Sequence, residues 1–215
     1  YANSLLLLHR NLQAKDLLEN FLQNRLSSDR QVEYELLGVY ALLNDIAATE
    51  KLIKNILEKD PNNPENIYRI SRILHENKEY NLSEKYLAAI VSDNDEVNLL
   101  RGLNDYRLKN YAEAISHYAR VSGYNLKIIA LTHISSALAE LDGIEEAILF
   151  LDDQINKYST PAIKERFILK QIALLNEYGL YEDIIELSTK YLNSKVPNPN
   201  LLYARAMAYE ELREI

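Results

Sequence analysis

The chain has 215 residues, 47% of them hydrophobic, and carries a formal net charge of −8 with a pI near 5.1. That balance argues against nonspecific nucleic-acid binding, which needs a basic footprint to displace counterions, and against docking by charge on an anionic membrane surface. Cysteine is absent, which excludes disulfides and thiolate metal sites and leaves the redox compartment open; no apolar run approaches the roughly 18 residues of a membrane span.

The dominant pattern is a repeat of about 34 residues. A residue near the start of each second helix recurs as Ala14, Thr49, Ser83, Ala114, Ala147 and Ile184, at spacings of 35, 34, 31, 33 and 37. A fixed period in this range predicts stacked helical hairpins in which each unit touches only its neighbours. The 5 glycines and 5 prolines are few and suit helix. The units are read as 1–29 (partial), 30–63, 64–97, 98–127, 128–161, 162–197 and 198–215 (partial), all within one solenoid spanning 1–215.

In chain order, Ala2 to Arg10 reads as the end of a first helix and Gln13 to Leu26 as its partner, with an apolar stripe of Ala14, Leu18, Phe21 and Leu22. Ser27, Ser28 and Asp29 punctuate and can cap the next helix. Unit two places Leu36, Leu37 and Tyr40 on one face, turns at Asn44-Asp45, and continues with Thr49, Leu52, Ile53, Ile56 and Leu57. Pro61 and Pro64 end one helix and open the next, because proline cannot continue a helix but suits its first turn.

Unit three, the clearest copy, has Ile67, Ile70, Ile73 and Leu74 in its first helix. Its second is expected to carry Leu82, Tyr86, Leu87, Ile90 and Val91, with Ser92 to Asp95 closing the unit. In unit four, Gly102 sits mid-helix at a cost of about 1 kcal/mol relative to alanine, which predicts close helix approach. Unit five turns at Asp142-Gly143 and ends at Thr160-Pro161. Unit six turns at Tyr178-Gly179 and is separated by Val196 to Pro199 from a lone helix, Leu201 to Ile215. Neither end reads as a polar cap, so more chain or pairing between copies is expected; the opening at Tyr1 predicts a processed or trimmed chain.

These residues resemble the tetratricopeptide repeat: Leu36, Tyr40 and Pro61 in unit two, Gly102, Tyr111, Ala114 and Tyr118 in unit four, and Ala147 in unit five. Tryptophan is absent and Ile184 replaces the small residue in unit six, which departs from the family pattern. The resemblance covers almost the whole chain and implies an all-α solenoid, a right-handed superhelix of antiparallel helical hairpins. A narrower resemblance is carried by Leu201 to Glu210 and His117 to Gly123, which look like segments of a gammaproteobacterial group of tetratricopeptide-repeat lipoproteins. That group faces the periplasm from the outer membrane, and some members are adaptors for carboxyl-terminal processing proteases that trim cell-wall hydrolases. The resemblance implies the same partners and location here; the lipid-bearing cysteine is not among these residues.

By the family's geometry, first helices line a concave groove, and Tyr34, Tyr68, Arg69, Arg72, Tyr106, Arg107, His133, Lys170 and Tyr203 are the residues expected to project there. Tyrosine and arginine dominate binding hot spots, although a tyrosine at helical spacing more often packs between repeats. The Lys, Asn and Arg clamp of the chaperone-binding subclass is not found. Sixteen tyrosines against three phenylalanines suit half-buried seams and wet interfaces alike.

Catalytic constellations fail in turn. His75-Glu76 opens like a zinc-protease helix, but Glu79 stands where a second histidine belongs. Asp93-Asn94-Asp95 lacks the glycine of a calcium loop and has Val97 at a ligand position. Glu145-Glu146 and Asp152-Asp153 are each split across a helix, and His9, His75, His117 and His133 fall in different units. There is no phosphate loop and no nucleophile elbow. An all-α toroid hydrolase would need two converging acids, which solenoid spacing does not supply.

The expectation is therefore a non-catalytic scaffold for protein or peptide, without cofactor or metal, without nucleic acid and without membrane insertion. The sharper form is a periplasmic adaptor that delivers substrates to a protease. The alternatives are a homodimer or larger homo-oligomer through the terminal helices and a cytoplasmic tetratricopeptide co-factor.

Overall fold

The computed structural model describes residues 5, 9–24, 29–61, 63–91, 94–192 and 198–213. Most of the expected helix over Ala2 to Arg10, the Ser27-Ser28 punctuation, Leu26, Asn62, Ser92-Asp93, Val196-Pro197 and the tip at Ile215 lie outside these residues. Among the described residues all regular structure is helical: α1 Asn11–Gln23, α2 Arg30–Leu42, α3 Ile46–Glu58, α4 Pro64–Glu76, α5 Tyr80–Leu87, α6 Asp95–Arg107, α7 Tyr111–Ala119, α8 Tyr124–Leu141, α9 Ile144–Lys157, α10 Pro161–Glu177, α11 Tyr181–Leu192 and α12 Pro199–Glu211. No helix among them is long and apolar enough to cross a membrane.

Two compact units divide the chain, residues 1–109 and 110–215. In the first, consecutive helices pack as hairpins, and the first helices stack in register, α2 on α4 and α4 on α6. In the second, α8 stacks on α10 and α10 on α12, with α9 and α11 as the returning helices. Contacts between neighbours and next-but-one neighbours are the signature of a helical solenoid of repeats, the all-α architecture expected.

The repeat position has a structural meaning. Ala14, Thr49, Ser83, Ala114, Ala147 and Ile184 are each the fourth residue of their helix, and none is more than 2% exposed. Each closes the first intrahelical bond, for example Ala114 N to Asn110 O at 2.9 Å and Ile184 N to Leu180 O at 3.2 Å. In unit three this position touches the first helix of its own hairpin directly, Ser83 Oγ donating to Ser71 O at 2.8 Å, and the residue is small in five of the six units.

A second regularity lies in the hairpin turns. His9, Asn44, Lys78, Lys109 and Gly179 all have positive φ, and each stands five residues before the repeat position. In unit five the positive φ falls on Gly143, one residue later. A left-handed residue ends a helix by turning its last carbonyls onto the following N–H groups; Glu79 N donates to Leu74 O at 2.9 Å and Leu180 N to Leu175 O at 2.9 Å.

First helices start on short polar caps. Asp29 accepts from the N–H groups of Gln31 and Val32, Asn63 from Glu65 and Asn66, and Asn94 from Glu96 and Val97. Pro64, Pro161 and Pro199 each occupy a first helical position, where the missing N–H costs nothing. Three unit boundaries shift against the helices: residue 97 falls inside α6, residue 127 inside α8, and residue 161 is the first of α10. Asn94 starts α6 ahead of the counted period, and α8 at 18 residues is longer than the 13-residue α6.

The second helix of unit three is shorter than its apolar pattern predicts. It ends at Leu87, so Ile90 is buried beyond it and Val91 is almost wholly exposed. Arg101 of α6 is the reason: its guanidinium donates to Leu87 O at 2.8 Å and Ile90 O at 3.0 Å. Those carbonyls find a cationic partner in place of another helical turn.

Candidate functional site

Along α2, Gln31, Tyr34, Glu35, Gly38 and Leu42 recur at intervals of three and four, which places them on one helix face. Along α4, Arg69, Arg72, Ile73 and Glu76 do the same, with Asn77 following as the C-cap. Stacked in the first unit, the two faces enclose a groove of about 280 Å³. Gly38 forms part of the floor; a Cβ there would stand 3.7 Å from Ile73 Cγ2, in ordinary contact.

Tyr34 anchors the groove from beneath. It is 4% exposed and belongs to the core cluster with Leu37, Ile53 and Leu74. Its hydroxyl donates to Asn66 Oδ1 at 2.7 Å. The Arg69 guanidinium lies over its ring, 4.2 Å from the centroid, and donates to Gln31 Oε1. Burial pushes the Tyr34 hydroxyl above its usual range, with Arg30 and Arg69 opposing the shift. Arg72 is exposed and, among the described residues, pairs with Glu76, Nε to Oε1 at 3.4 Å. The groove thus presents one ring-stacked guanidinium, one solvent-facing ion pair and the amides of Gln31 and Asn77. These groups suit the backbone and polar side chains of an extended peptide.

Of the nine residues expected in a groove, Tyr34, Arg69 and Arg72 come together here. Tyr68, on the next face of α4, packs against the cluster of Ile67, Leu87, Ile90, Val97 and Leu100, and burial raises its pKa, with Glu96 adding to the shift. Tyr106 and Arg107 end α6 and do not line this groove. In the second unit, His133 stacks on Tyr118 with ring centroids 5.3 Å apart. Lys170 is half-buried on α10, and desolvation lowers its pKa. Tyr203, on α12, is 69% exposed. Gln31, Glu35 and Asn77 have no role in the sequence reading, and Glu76 enters it only beside His75; their signal was the three-and-four spacing that joins Gln31 to Tyr34 and Glu35, and Arg72 and Ile73 to Glu76 and Asn77.

The histidine weighed as a metal ligand has another task. His75 Nδ1 lies 2.8 Å from Asn104 Oδ1, Asn104 Nδ2 donates to Ser83 Oγ at 2.9 Å, and Ser83 Oγ donates to Ser71 O at 2.8 Å. Because the amide nitrogen is committed to Ser83, the amide oxygen must accept, so the proton sits on His75 Nδ1. This chain of bonds ties α4, α5 and α6 together through fully buried Ser83 and Asn104. Asp152 and Asp153 do diverge: the first accepts from Gln171 and the second from Gln154. Among the described residues no three His, Asp or Glu side chains stand close enough to hold a metal ion.

No protein-family model matches the chain, and no curated protein matches it.

Proposed function

We propose that this chain is a non-catalytic scaffold of tetratricopeptide-like hairpins that holds a protein or peptide partner. The observation that carries this reading is the α2–α4 groove, where Arg69 is pre-oriented on Tyr34 and Arg72 can exchange Glu76 for a ligand carboxylate. A guanidinium already held on an aromatic face loses little entropy when a partner binds, which is what makes such residues hot spots. The resemblance at Leu201 to Glu210 and His117 to Gly123 sharpens the proposal to a periplasmic adaptor that presents substrates to a carboxyl-terminal processing protease.

The test is capture from a periplasmic extract with the full chain as bait, beside the double variant Arg69→Ala, Arg72→Ala. A protease and cell-wall hydrolases retained by the chain and lost by the variant, at unchanged helicity, support the adaptor. Equal capture by both baits removes the groove from the proposal.

A second reading is self-association. It is favoured by α12, where Leu202, Tyr203, Met207 and Tyr209 are all substantially exposed. Such a face is large for one helix and costs solubility unless covered. Sedimentation of the chain at rising concentration decides it, since an invariant monomer excludes self-association.

A further inference from the structure

We infer that the second unit carries a separate docking groove, formed by its returning helices α9 and α11, for a peptide segment in which a large aliphatic side chain is flanked by lysine or arginine. This site lies outside the α2–α4 groove and does not depend on it.

The groove has a volume of about 550 Å³, within the range that holds a few side chains of a guest. Ile148, Leu149, Leu180 and Leu187 line its interior. Leu149 is 62% exposed, an unusual place for a leucine on the solvent side of a helix that already buries Ala147 and Leu151. The rim is acidic: Glu145, Asp152, Asp183 and Glu186 stand against Lys190, the one cation among the lining residues. Lys190 is drawn toward the Tyr191 ring, 5.3 Å from its centroid.

The contrast with the corresponding groove of the first unit is informative. Between α3 and α5, the carboxylates are neutralised from within, Lys85 to Glu50 at 2.6 Å and Lys54 to Glu58 at 3.8 Å. Glu145, Asp183 and Glu186 have no such ion pair among the described residues. An apolar groove ringed by uncompensated carboxylates favours a guest that is aliphatic and cationic, and it repels an anionic lipid surface.

The floor adds a polar feature. Gln171 of α10 is fully buried. Its amide nitrogen donates to Asp152 Oδ1 at 2.8 Å and Ile148 O at 3.3 Å. Both partners only accept, which sets the orientation of the amide and leaves Gln171 Oε1 with no donor among the described residues.

The probe is a fluorescein-labelled amphipathic peptide of lysine and leucine, measured by anisotropy against the full chain. Two control peptides replace every lysine by glutamate or every leucine by serine. The lysine–leucine peptide binds and both controls fail. The double variant Asp183→Lys, Glu186→Lys weakens binding at least about tenfold, Leu149→Ser weakens it severalfold, and Arg69→Ala leaves it unchanged. The equal charge change Asp153→Lys, Glu182→Lys, outside the groove, also leaves it unchanged. Equal binding of the serine control would mean attraction by net charge alone and overturn the site, as would equal losses in the two charge variants.

Discussion

Arg69 stands over the Tyr34 ring at 4.2 Å, joining the exposed face of α4 to a tyrosine that α2 keeps buried. The tyrosine is fixed from below by its bond to Asn66 and from above by the guanidinium. Removing the guanidinium in Arg69→Ala is expected to cost about 0.5–1 kcal/mol, a fall of a few degrees in Tm for a chain of this size. Arg69→Lys recovers the charge but not the planar stack, so its partner affinity should resemble that of Arg69→Ala more than that of the parent. A lysine variant with full affinity would show that charge, not stacking, does the binding.

The same repeat position should answer oppositely in different units. Ala147 is fully buried, so Ala147→Ile is expected to cost about 1–3 kcal/mol by overpacking. Ile184 is buried at the same position of unit six, and Ile184→Ala should cost about 2–5 kcal/mol through the cavity it opens. Urea midpoints of the two variants check both effects. Ile184→Ala as stable as the parent would mean the cavity closes.

Hairpin turns store removable strain. Lys78 and Lys109 are exposed and hold φ values of 68° and 65°, where a Cβ crowds the following carbonyl. Lys78→Gly is expected to stabilise by up to about 1 kcal/mol, the unfolded-state entropy of glycine taking back part of the gain. Gly179→Ala should lose about 1 kcal/mol for the same reason: nothing lies within 4 Å of the added methyl, so the φ of 69° alone decides it. Thermal melts of the two variants should move in opposite directions.

Alkaline pH should unfold the chain through its tyrosines. Burial raises the pKa of Tyr34, Tyr40, Tyr68 and Tyr86, and at Tyr40 the bond to Glu19 at 2.7 Å adds to the shift. A raised folded pKa means that the native state holds the proton longer. Stability is therefore complete below the unfolded tyrosine value of about 10 and falls as pH rises past it. Lys170 works the other way: its lowered folded pKa makes its contribution grow as pH rises toward the unfolded lysine value. Tyr40→Phe should cost about 1.5 kcal/mol at neutral pH through the lost bond to a carboxylate, yet flatten the alkaline decline of the urea midpoint. An unchanged slope would mean that Tyr40 does not titrate with unfolding.

Much of the fold is legible in the residues themselves. The small amino acids at 14, 49, 83, 114 and 147 mark the fourth residue of five returning helices, each fully buried there, and prolines 64, 161 and 199 mark helix starts because proline tolerates only the first turn. Local rules of this kind act within one hairpin and need no knowledge of its neighbours. Tertiary stacking decided the rest. Tyr34, Arg69 and Arg72 share a groove while Tyr68, one residue away, turns into the core, because the angle between stacked first helices selects which face is covered. Arg101 ended α5 early and exposed Val91, although the apolar pattern ran on. Leu149 stands two residues from Ala147 and from Leu151, off the buried stripe of its helix, and only the placement of α9 beside α11 sets it in a groove with an acidic rim. Periodicity specifies the face that a helix offers, but the neighbour that covers it, or leaves it open for a partner, is set by packing between hairpins.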